Sequence, residues 1–202
     1  MASNRELNTE LGRYQTAQQL FSVGARVPIV RELTQLSPWL LRKFYVDTTG
    51  EKPSRGPIPS SVEWYLTGIN HLQSSLFLQY YQSVQVDEGE VNASYLLLAY
   101  QMWRSSWALT QLKSTLSFDR AWWLIKLIRS DLIKGQACRV CRGIYIVGLK
   151  RLGTYRCPRC FKSTLNYGPR KKQFDYLPPR EKSSNSVSSM AYISSSESSS
   201  VS

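Results

Sequence analysis

Four cysteines stand in two pairs, and two residues separate the members of each pair. Cys138 and Cys141 form the first pair, Cys157 and Cys160 form the second, and fifteen residues lie between the two pairs. Two intervening residues let a tight turn direct both sulfurs of a pair towards one ion. A spacer of hairpin length then brings the second pair round to complete a tetrahedron. The spacing therefore predicts one metal ion held by four thiolates.

The predicted metal is structural, with one ion per chain. Four thiolates close the coordination sphere and leave no position for water or substrate. Zinc (Zn²⁺) is the expected ion because it favours tetrahedral sulfur and has no redox chemistry, although iron also accepts four thiolates. Disulfides are disfavoured because the polar amino terminus does not have the pattern of a secretory signal. A redox site is disfavoured because it needs a single pair at a helix start beside a strand.

The positive charge of the chain is concentrated around these cysteines. The formal net charge is +12, and residues 134–182 hold 13 Lys or Arg against two acids, which gives +11. Residues 1–133 hold 13 basic and 11 acidic residues, which gives +2, and Glu197 supplies the remaining −1. A charge density of this sign suits a polyanion, either nucleic acid or an anionic membrane face.

The candidate DNA contacts are the basic residues next to the cysteines and in the run at 170–172. A metal holds the backbone rigid, so these side chains can form a fixed positive surface whose phosphate contacts release counterions. The alternative is that a short charged run only solvates the surface, and this alternative is strongest for 170–172. The candidates are Arg139, Arg142, Lys150, Arg151, Arg156, Arg159, Lys162, Arg170, Lys171 and Lys172.

Helical periodicity dominates the chain before the cysteines. Apolar residues recur at steps of three and four over 7–25, and again over 61–84, which predicts one long helix in each range. Residues 28–45 predict two short helices joined by a turn, similar to a helix-turn-helix, with Ser37 as the cap of the second. Two further helices are expected after the caps Asn92 and Ser117. Glycines and prolines make 49–60 a connector.

The organisation predicted from these features is mainly α. Residues 1–133 form a helical domain that binds a partner and includes the helix-turn-helix-like segment 28–45. Residues 134–182 form a basic DNA-binding zinc ribbon, with a short hairpin in the spacer at 143–155. Serine accounts for twelve of the last twenty residues, 183–202, so this tail is expected to be disordered. No apolar run reaches the length that crosses a bilayer, so a cytoplasmic protein without membrane contact is expected.

Few residues indicate catalysis. His71 is the sole histidine and falls near the apolar face of a predicted helix, so a packed or hydrogen-bonded core position is expected. Trp103, Trp107, Trp122 and Trp123 have helical spacing and are interpreted as core or interface residues. Trp39, Arg42 and Lys43 could enter a major groove, but the local charge there is modest. With no Gly-rich phosphate loop and no cluster of acids or nucleophiles, an enzyme is not expected.

The order of several short segments resembles the FlhC family, one subunit of the bacterial flagellar master activator. The segments run from about residue 14 to 165: LFSVGAR, TQLSPWLLRKFY, GPIPSSVEWYL, NHLQSSLF, CRVCRGIYIV and YRCPRC. The resemblance implies a mostly helical protein that binds FlhD in a ring-shaped hetero-oligomer and holds zinc through Cys138, Cys141, Cys157 and Cys160. It also implies binding upstream of flagellar promoters and recruitment of RNA polymerase. A zinc-ribbon accessory subunit of a nucleic-acid enzyme is the alternative.

One feature departs from the usual metal knuckle, the tight turn that carries a Cys pair. A knuckle often has glycine directly after its second cysteine, but this chain has Arg142 and Phe161 at those positions. Gly143 follows one position late. The turns are therefore expected to be tighter or differently hydrogen-bonded, while the thiolate arrangement itself does not require glycine there.

Overall fold

Seven helices and one two-stranded sheet make up the described part of the chain. A computed structural model describes residues 4–86, 89, 91–149 and 156–161, with side chains from residue 8 onward. The predicted mainly α fold is confirmed. No helix among these residues is both long and apolar enough to cross a membrane. The elements are α1 (Asn4–Ser22), α2 (Val27–Thr34), α3 (Pro38–Thr49), α4 (Val62–Tyr65), α5 (Gly68–Val84), α6 (Ala93–Ala108), α7 (Phe118–Arg129), β1 (Ile133–Ala137) and β2 (Ile144–Gly148).

The first three helices follow the predicted pattern. The side-chain oxygen of Ser37 accepts a hydrogen bond from the backbone N–H of Leu40 at 3.4 Å, so the predicted cap of α3 is confirmed. Pro38 occupies the first turn, where its missing N–H costs nothing. α1 packs against α3 through edge-on aromatic contacts of Phe21 with Phe44 and Tyr45.

A largely buried ion pair joins this first group of helices to α7. The guanidinium of Arg26, between α1 and α2, pairs with the carboxylate of Asp119 in the first turn of α7. The Asp119 carboxylate also accepts the backbone N–H of Arg26 at 3.1 Å. Arg26 donates further to the carbonyls of Gly56 and Pro57, at 3.4 and 3.2 Å. One arginine therefore ties the connector, α1, α2 and α7 together.

The single long helix predicted over 61–84 is wrong. The chain forms the short α4, leaves the helical conformation at Thr67 (φ −118°, ψ 136°), and begins α5 at Gly68 with φ 48°. This break lets the Tyr65 ring lie fully buried while its hydroxyl donates to the Arg120 carbonyl at 3.0 Å. Apolar spacing continued across the break, so periodicity alone did not reveal it.

The caps predicted for the next two helices are confirmed. The Asn92 side chain accepts the N–H groups of Ser94 and Tyr95, and the Ser117 hydroxyl accepts the N–H of Arg120. Apolar residues continue at helical spacing as far as Leu112 in the first and Leu132 in the second, which predicts longer helices than the structure has. α6 stops at Ala108, before Leu112, and α7 stops at Arg129, before Leu132.

The tryptophans of α6 and α7 lie in the core, as expected. Trp103, Trp107 and Trp122 are buried, and Trp123 is half-buried. The rings of Trp103 and Trp107 stack with centroids 6.1 Å apart, and Trp103 also stacks on Tyr100. These rings fill the space between α5, α6 and α7.

The hairpin pairs differently from the prediction. β2 comes from the spacer between the Cys pairs, as expected, but it pairs antiparallel with β1, which precedes the first pair. In the register, Ile133 lies opposite Gly148 and Ala137 lies opposite Ile144. The first Cys pair lies at the turn of this hairpin, and residues 150–155 of the hairpin predicted within 143–155 lie outside the described residues. Ile133 is the sole β-branched residue of β1, so the strand signal in its sequence was weak.

Three polar side chains of α5 bind the outer edge of β2. His71, Ser75 and Gln79 are four residues apart and therefore share one face of the helix. The His71 Nε2 donates to the Ile146 carbonyl at 2.8 Å, and the Ser75 hydroxyl accepts the Ile146 N–H at 3.2 Å. The Gln79 amide donates to the Ile144 carbonyl at 2.5 Å. We call His71, Ser75 and Gln79 the α5 ladder, because they satisfy backbone groups of an edge strand.

A fourth polar residue of α5 holds the loop between α6 and α7. Gln73 is fully buried, and its amide donates to the Lys113 carbonyl at 3.0 Å. Its side-chain oxygen accepts the N–H groups of Thr115 and Leu116 at 3.0 and 2.9 Å. The amide of Gln73 is therefore paired at both ends, as a buried polar group requires.

Burial makes stability depend on the protonation of His71. Desolvation lowers the pKa of His71 to about 4, below its usual value of 6.5. Between these values the unfolded chain binds a proton that the folded chain does not, so stability falls as pH falls. We expect the wild type to lose about 2 kcal/mol more than His71→Gln between pH 7 and pH 5. Urea unfolding of both proteins at the two pH values measures this difference.

The Gln side chain is a suitable comparison because its amide can still donate to the Ile146 carbonyl. Any acid release of metal affects both proteins and cancels in the difference. Equal losses of stability in the wild type and His71→Gln would contradict the buried neutral state of His71.

Candidate metal centre and its basic surface

The four cysteine sulfurs converge on one point. All four Sγ atoms lie within 4.8 Å of one another. The Sγ atoms of Cys138 and Cys160 are 3.8 Å apart, and those of Cys141 and Cys157 are 3.7 Å apart. A tetrahedron with metal–sulfur bonds of about 2.3 Å has edges of about 3.8 Å. Two of the six sulfur–sulfur distances therefore match the edges of such a tetrahedron, and the four cysteines could hold one metal ion.

Local turns direct both sulfurs of each pair inward. In the first knuckle, the N–H of Arg142 donates to the Cys138 carbonyl at 2.9 Å. In the second, the N–H of Phe161 donates to the Cys157 carbonyl at 3.1 Å. The Val140 N–H also donates to the Cys138 sulfur at 3.4 Å. Such N–H bonds stabilise the thiolate form, which is the form that binds metal.

The thiols differ in acidity because their surroundings differ. The backbone N–H groups of Cys141 and Val140 lower the pKa of Cys138 to about 7. Donation of a hydrogen bond by the Cys160 thiol to Cys141, with burial, raises the pKa of Cys160 to about 12, and burial raises that of Cys157. Four thiolates at this spacing repel one another unless a cation lies between them. The donor set therefore matches a soft divalent ion.

Disulfide bonding does not fit this arrangement. The sulfur pairs Cys141–Cys157 and Cys138–Cys160, at 3.7 and 3.8 Å, are well beyond the bond length of about 2.05 Å. The described cysteines are all free thiols. Cys138 and Cys157 are buried and Cys141 and Cys160 are half-buried, so solvent reaches the cluster from one side.

The centre lies against α5 through two glycines. A Cβ at Gly143 would stand 3.2 Å from the Gln79 amide nitrogen, 3.3 Å from an Arg159 guanidinium nitrogen and 3.5 Å from the Cys141 sulfur. A Cβ at Gly135 would stand 3.2 Å from the Leu78 side chain. Gly143, which follows the second cysteine of its pair one position later than usual, therefore allows the first knuckle to lie close to α5 and to the second knuckle.

The basic candidates differ in how the structure places them. Arg139, Arg142 and Arg159 are exposed around the cysteines. Arg156 is half-buried and its guanidinium lies over the Phe161 ring, 5.0 Å from the centroid. These four arginines surround the metal centre and form what we call the knuckle surface. The remaining candidates lie outside the described residues: Lys150, Arg151, Lys162, Arg170, Lys171 and Lys172. The tail at 183–202 lies outside them as well.

Neither knuckle has an Asp or Glu in its sequence. The sequence has no Asp or Glu between Asp131 and Asp175. Asp131 itself pairs with Lys134, 3.3 Å away, at the start of the hairpin. Val140, at the tip of the first knuckle, is 76% exposed between Arg139 and Cys141. The surface is therefore strongly positive with an apolar tip.

The helix-turn-helix-like segment presents a second exposed surface. Trp39 is 72% exposed at the start of α3, and Arg42 and Lys43 are exposed one turn later. α2 and α3 pack against each other as the segment predicted. DNA contact by these residues stays a prediction.

The α5 ladder is the functional group that sequence reasoning missed. His71 was expected in the core with a hydrogen bond, and its burial is confirmed. Its partner, however, is the strand that carries the metal centre. The available signal was the recurrence of polar residues at 71, 75 and 79 on a helix otherwise rich in apolar residues.

Comparison with known proteins places the chain beside one family over most of its length. The family model of the flagellar transcriptional activator FlhC matches residues 2–172. A flagellar transcriptional regulator FlhC of Gallionella capsiferriformans is 30% identical over 164 residues, which cover 76% of this chain and 87% of that protein. Its counterpart in Verminephrobacter eiseniae is 29% identical and covers 75% and 82%. That of Proteus mirabilis is 26% identical and covers 78% and 83%.

Proposed function

This chain belongs to the FlhC family of flagellar transcriptional activators, and from that membership we propose that it binds DNA upstream of flagellar promoters through its knuckle surface. The observation that carries the proposal is the convergence of four cysteine sulfurs beside four arginines, in a sequence segment that has no Asp or Glu. The family is a class of transcriptional regulators and not of enzymes. This favours an activator over an accessory subunit of a nucleic-acid enzyme.

The proposed metal is one structural zinc ion held by Cys138, Cys141, Cys157 and Cys160. Sulfur spacings of 3.7 and 3.8 Å support it, because they match the edges of a zinc tetrathiolate. Bound zinc would join the two knuckles, which are far apart in sequence, into one rigid unit. The knuckles themselves contribute little apolar burial, so the metal supplies much of their order.

The proposed DNA contacts are electrostatic in the first instance. Arginine guanidinium groups form paired hydrogen bonds with phosphate oxygens, and each contact releases counterions from the DNA. The exposed Arg139, Arg142 and Arg159 support this role. The same role rests only on the charge of the sequence for the candidates outside the described residues: Lys150, Arg151, Lys162, Arg170, Lys171 and Lys172.

Partner binding completes the proposal. We propose that residues 1–133 bind FlhD in a hetero-oligomer, that residues 134–182 bind DNA, and that the complex recruits RNA polymerase in the cytoplasm. Phosphate contacts give affinity and position but no sequence information. An assembly that repeats the knuckle surface would hold two contact regions at a set separation and favour DNA that bends between them.

We expect purified protein to contain one zinc ion per chain, and Cys157→Ser to lose it. With a ligand missing, the knuckles should lose their order, while the helical core persists because the α5 ladder and the apolar contacts of Ile133 and Ile146 remain. Elemental analysis measures the metal, and far-ultraviolet circular dichroism measures the helices. Val140→Ser, a change of an exposed side chain between the ligands Cys138 and Cys141, is the control and should retain zinc. Wild-type protein without zinc, or with iron instead, would refute the proposal.

We expect the triple variant Arg139→Glu, Arg156→Glu and Arg159→Glu to bind all DNA sequences more weakly. The slope of log affinity against log salt should fall by about 0.9 for each phosphate group that the variant no longer binds. Fluorescence anisotropy over a range of salt concentrations measures the slope.

The control for this triple variant reverses three exposed basic residues elsewhere on the helices and loops: Arg55, Arg104 and Lys113. It changes the net charge by the same amount but should leave the slope near that of the wild type. An unchanged slope in the knuckle variant would move the DNA site to Trp39, Arg42 and Lys43.

We expect sequence-specific binding to require FlhD. A mobility-shift competition compares a flagellar promoter with shuffled DNA of equal length, for this chain alone and with FlhD. The complex should prefer the promoter, whereas the chain alone should bind both with similar affinity because backbone contacts do not distinguish sequence. Equal discrimination by the chain alone would show that partner dependence is wrong.

A further inference from the structure

We infer that Arg142 is a DNA phosphate contact. Its backbone is left-handed, and we infer that arginine occupies this position, where glycine would suit the fold better, because its side chain binds DNA. The inference rests on the proposed function, because it assigns one residue of the knuckle surface to the phosphate backbone. Among the four arginines of the knuckle surface, Arg142 is distinguished by its positive φ.

The backbone of Arg142 adopts φ 56°. In this region the Cβ of an L-residue crowds the following carbonyl, whereas glycine adopts the conformation freely. Arg142 is also the residue directly after the second cysteine of its pair, where a knuckle often has glycine. Glycine would therefore suit the fold at this position better than arginine does.

Other non-glycine residues with positive φ include two whose side chains stabilise the turn. The Gln35 amide donates to the Glu32 carbonyl at 2.8 Å. The Asp131 carboxylate pairs with Lys134 at 3.3 Å. The Arg142 side chain, in contrast, is exposed and makes no hydrogen bond or ion pair with another described residue. No side-chain contact of Arg142 within the described part of the chain therefore offsets the conformational cost. Gln111 shares this conformation and exposure, but it carries no charge and lies in the loop after α6, whereas Arg142 is charged and lies beside the cysteines.

Two of the other three arginines lie against parts of the metal centre, whereas Arg139 is exposed like Arg142. Arg156 lies over the Phe161 ring, and a nitrogen of the Arg159 guanidinium stands 3.3 Å from the Cβ position of Gly143. Arg142 has no such contact with the residues that the structure describes, yet its backbone is held by the bond from its N–H to the Cys138 carbonyl at 2.9 Å. An exposed guanidinium on a fixed backbone, in a sequence segment without Asp or Glu, suits a phosphate group.

The experiment compares Arg142→Gly, Arg142→Ala and Arg142→Lys with the wild type, each as the full zinc-loaded chain in complex with FlhD. Salt-dependent anisotropy on promoter DNA should show the salt slope falling by about 0.9 in the Gly and Ala variants, and less in the Lys variant, which keeps the charge. The thermal midpoint of Arg142→Gly should equal or exceed that of the wild type, because glycine relieves the left-handed strain. Binding and stability would then move in opposite directions.

Gln111→Gly is the matched control. Gln111 is exposed, has φ 56° and lies in the loop after α6, away from the cysteines. Its replacement offers the same conformational relief and should leave DNA binding unchanged.

Several outcomes would overturn the inference. If Arg142→Gly keeps the affinity and salt slope of the wild type, Arg142 does not contact DNA. If DNA binding is also normal but transcription is lost, Arg142 contacts a protein instead. Loss of zinc or a lower thermal midpoint in all three variants would make Arg142 a structural residue.

The triple variant of Arg139, Arg156 and Arg159 distinguishes the present inference from the proposed function. If it binds DNA normally, the proposed function fails. If it binds weakly and Arg142→Gly binds normally, only the present inference fails.

Discussion

Hydrogen bonds between the α5 ladder and the outer edge of β2 determine where the metal centre lies. An edge strand leaves backbone groups unpaired, and buried polar side chains are costly without partners. His71, Ser75 and Gln79 satisfy both requirements at once, through the backbone of Ile144 and Ile146. The hairpin is therefore part of the helical core, and the orientation of the four cysteines follows that of α5.

The metal centre is supported from two sides. Ile133 and Ile146 pack into the main core, whereas Cys138, Tyr145, Val147 and Cys157 form only a small separate cluster. So small a cluster cannot order two knuckles, and the closely spaced thiols call for a cation. With helix contacts on one side and the proposed zinc ligation on the other, the arginines of the knuckle surface would be held on a rigid backbone. Such rigid placement would let the proposed phosphate contacts form with little loss of side-chain freedom.

The segment NHLQSSLF illustrates how one short stretch can serve several distant parts of the fold. His71 and Ser75 bind β2, while Gln73 binds the loop before α7. Each of these residues is buried and polar, and each satisfies backbone groups that no other strand or helix of the described chain reaches. The Arg26 and Asp119 pair plays a similar part between α1, α2 and α7. Polar contacts, more than apolar ones, thus specify how the elements are arranged.

The sequence by itself determined the features that depend on neighbouring residues. Local sequence was enough to recognise the caps at Ser37, Asn92 and Ser117, the helical character and the likeness to FlhC. A cap acts within one turn of a helix, and the spacing of a knuckle spans four residues. Only the tertiary structure decided the break at Gly68, the pairing of β2 with β1 and the partner of His71. Those features depend on groups distant in sequence, and apolar periodicity is the same whether a helix continues or turns. A strand likewise pairs with whichever edge the packed core presents.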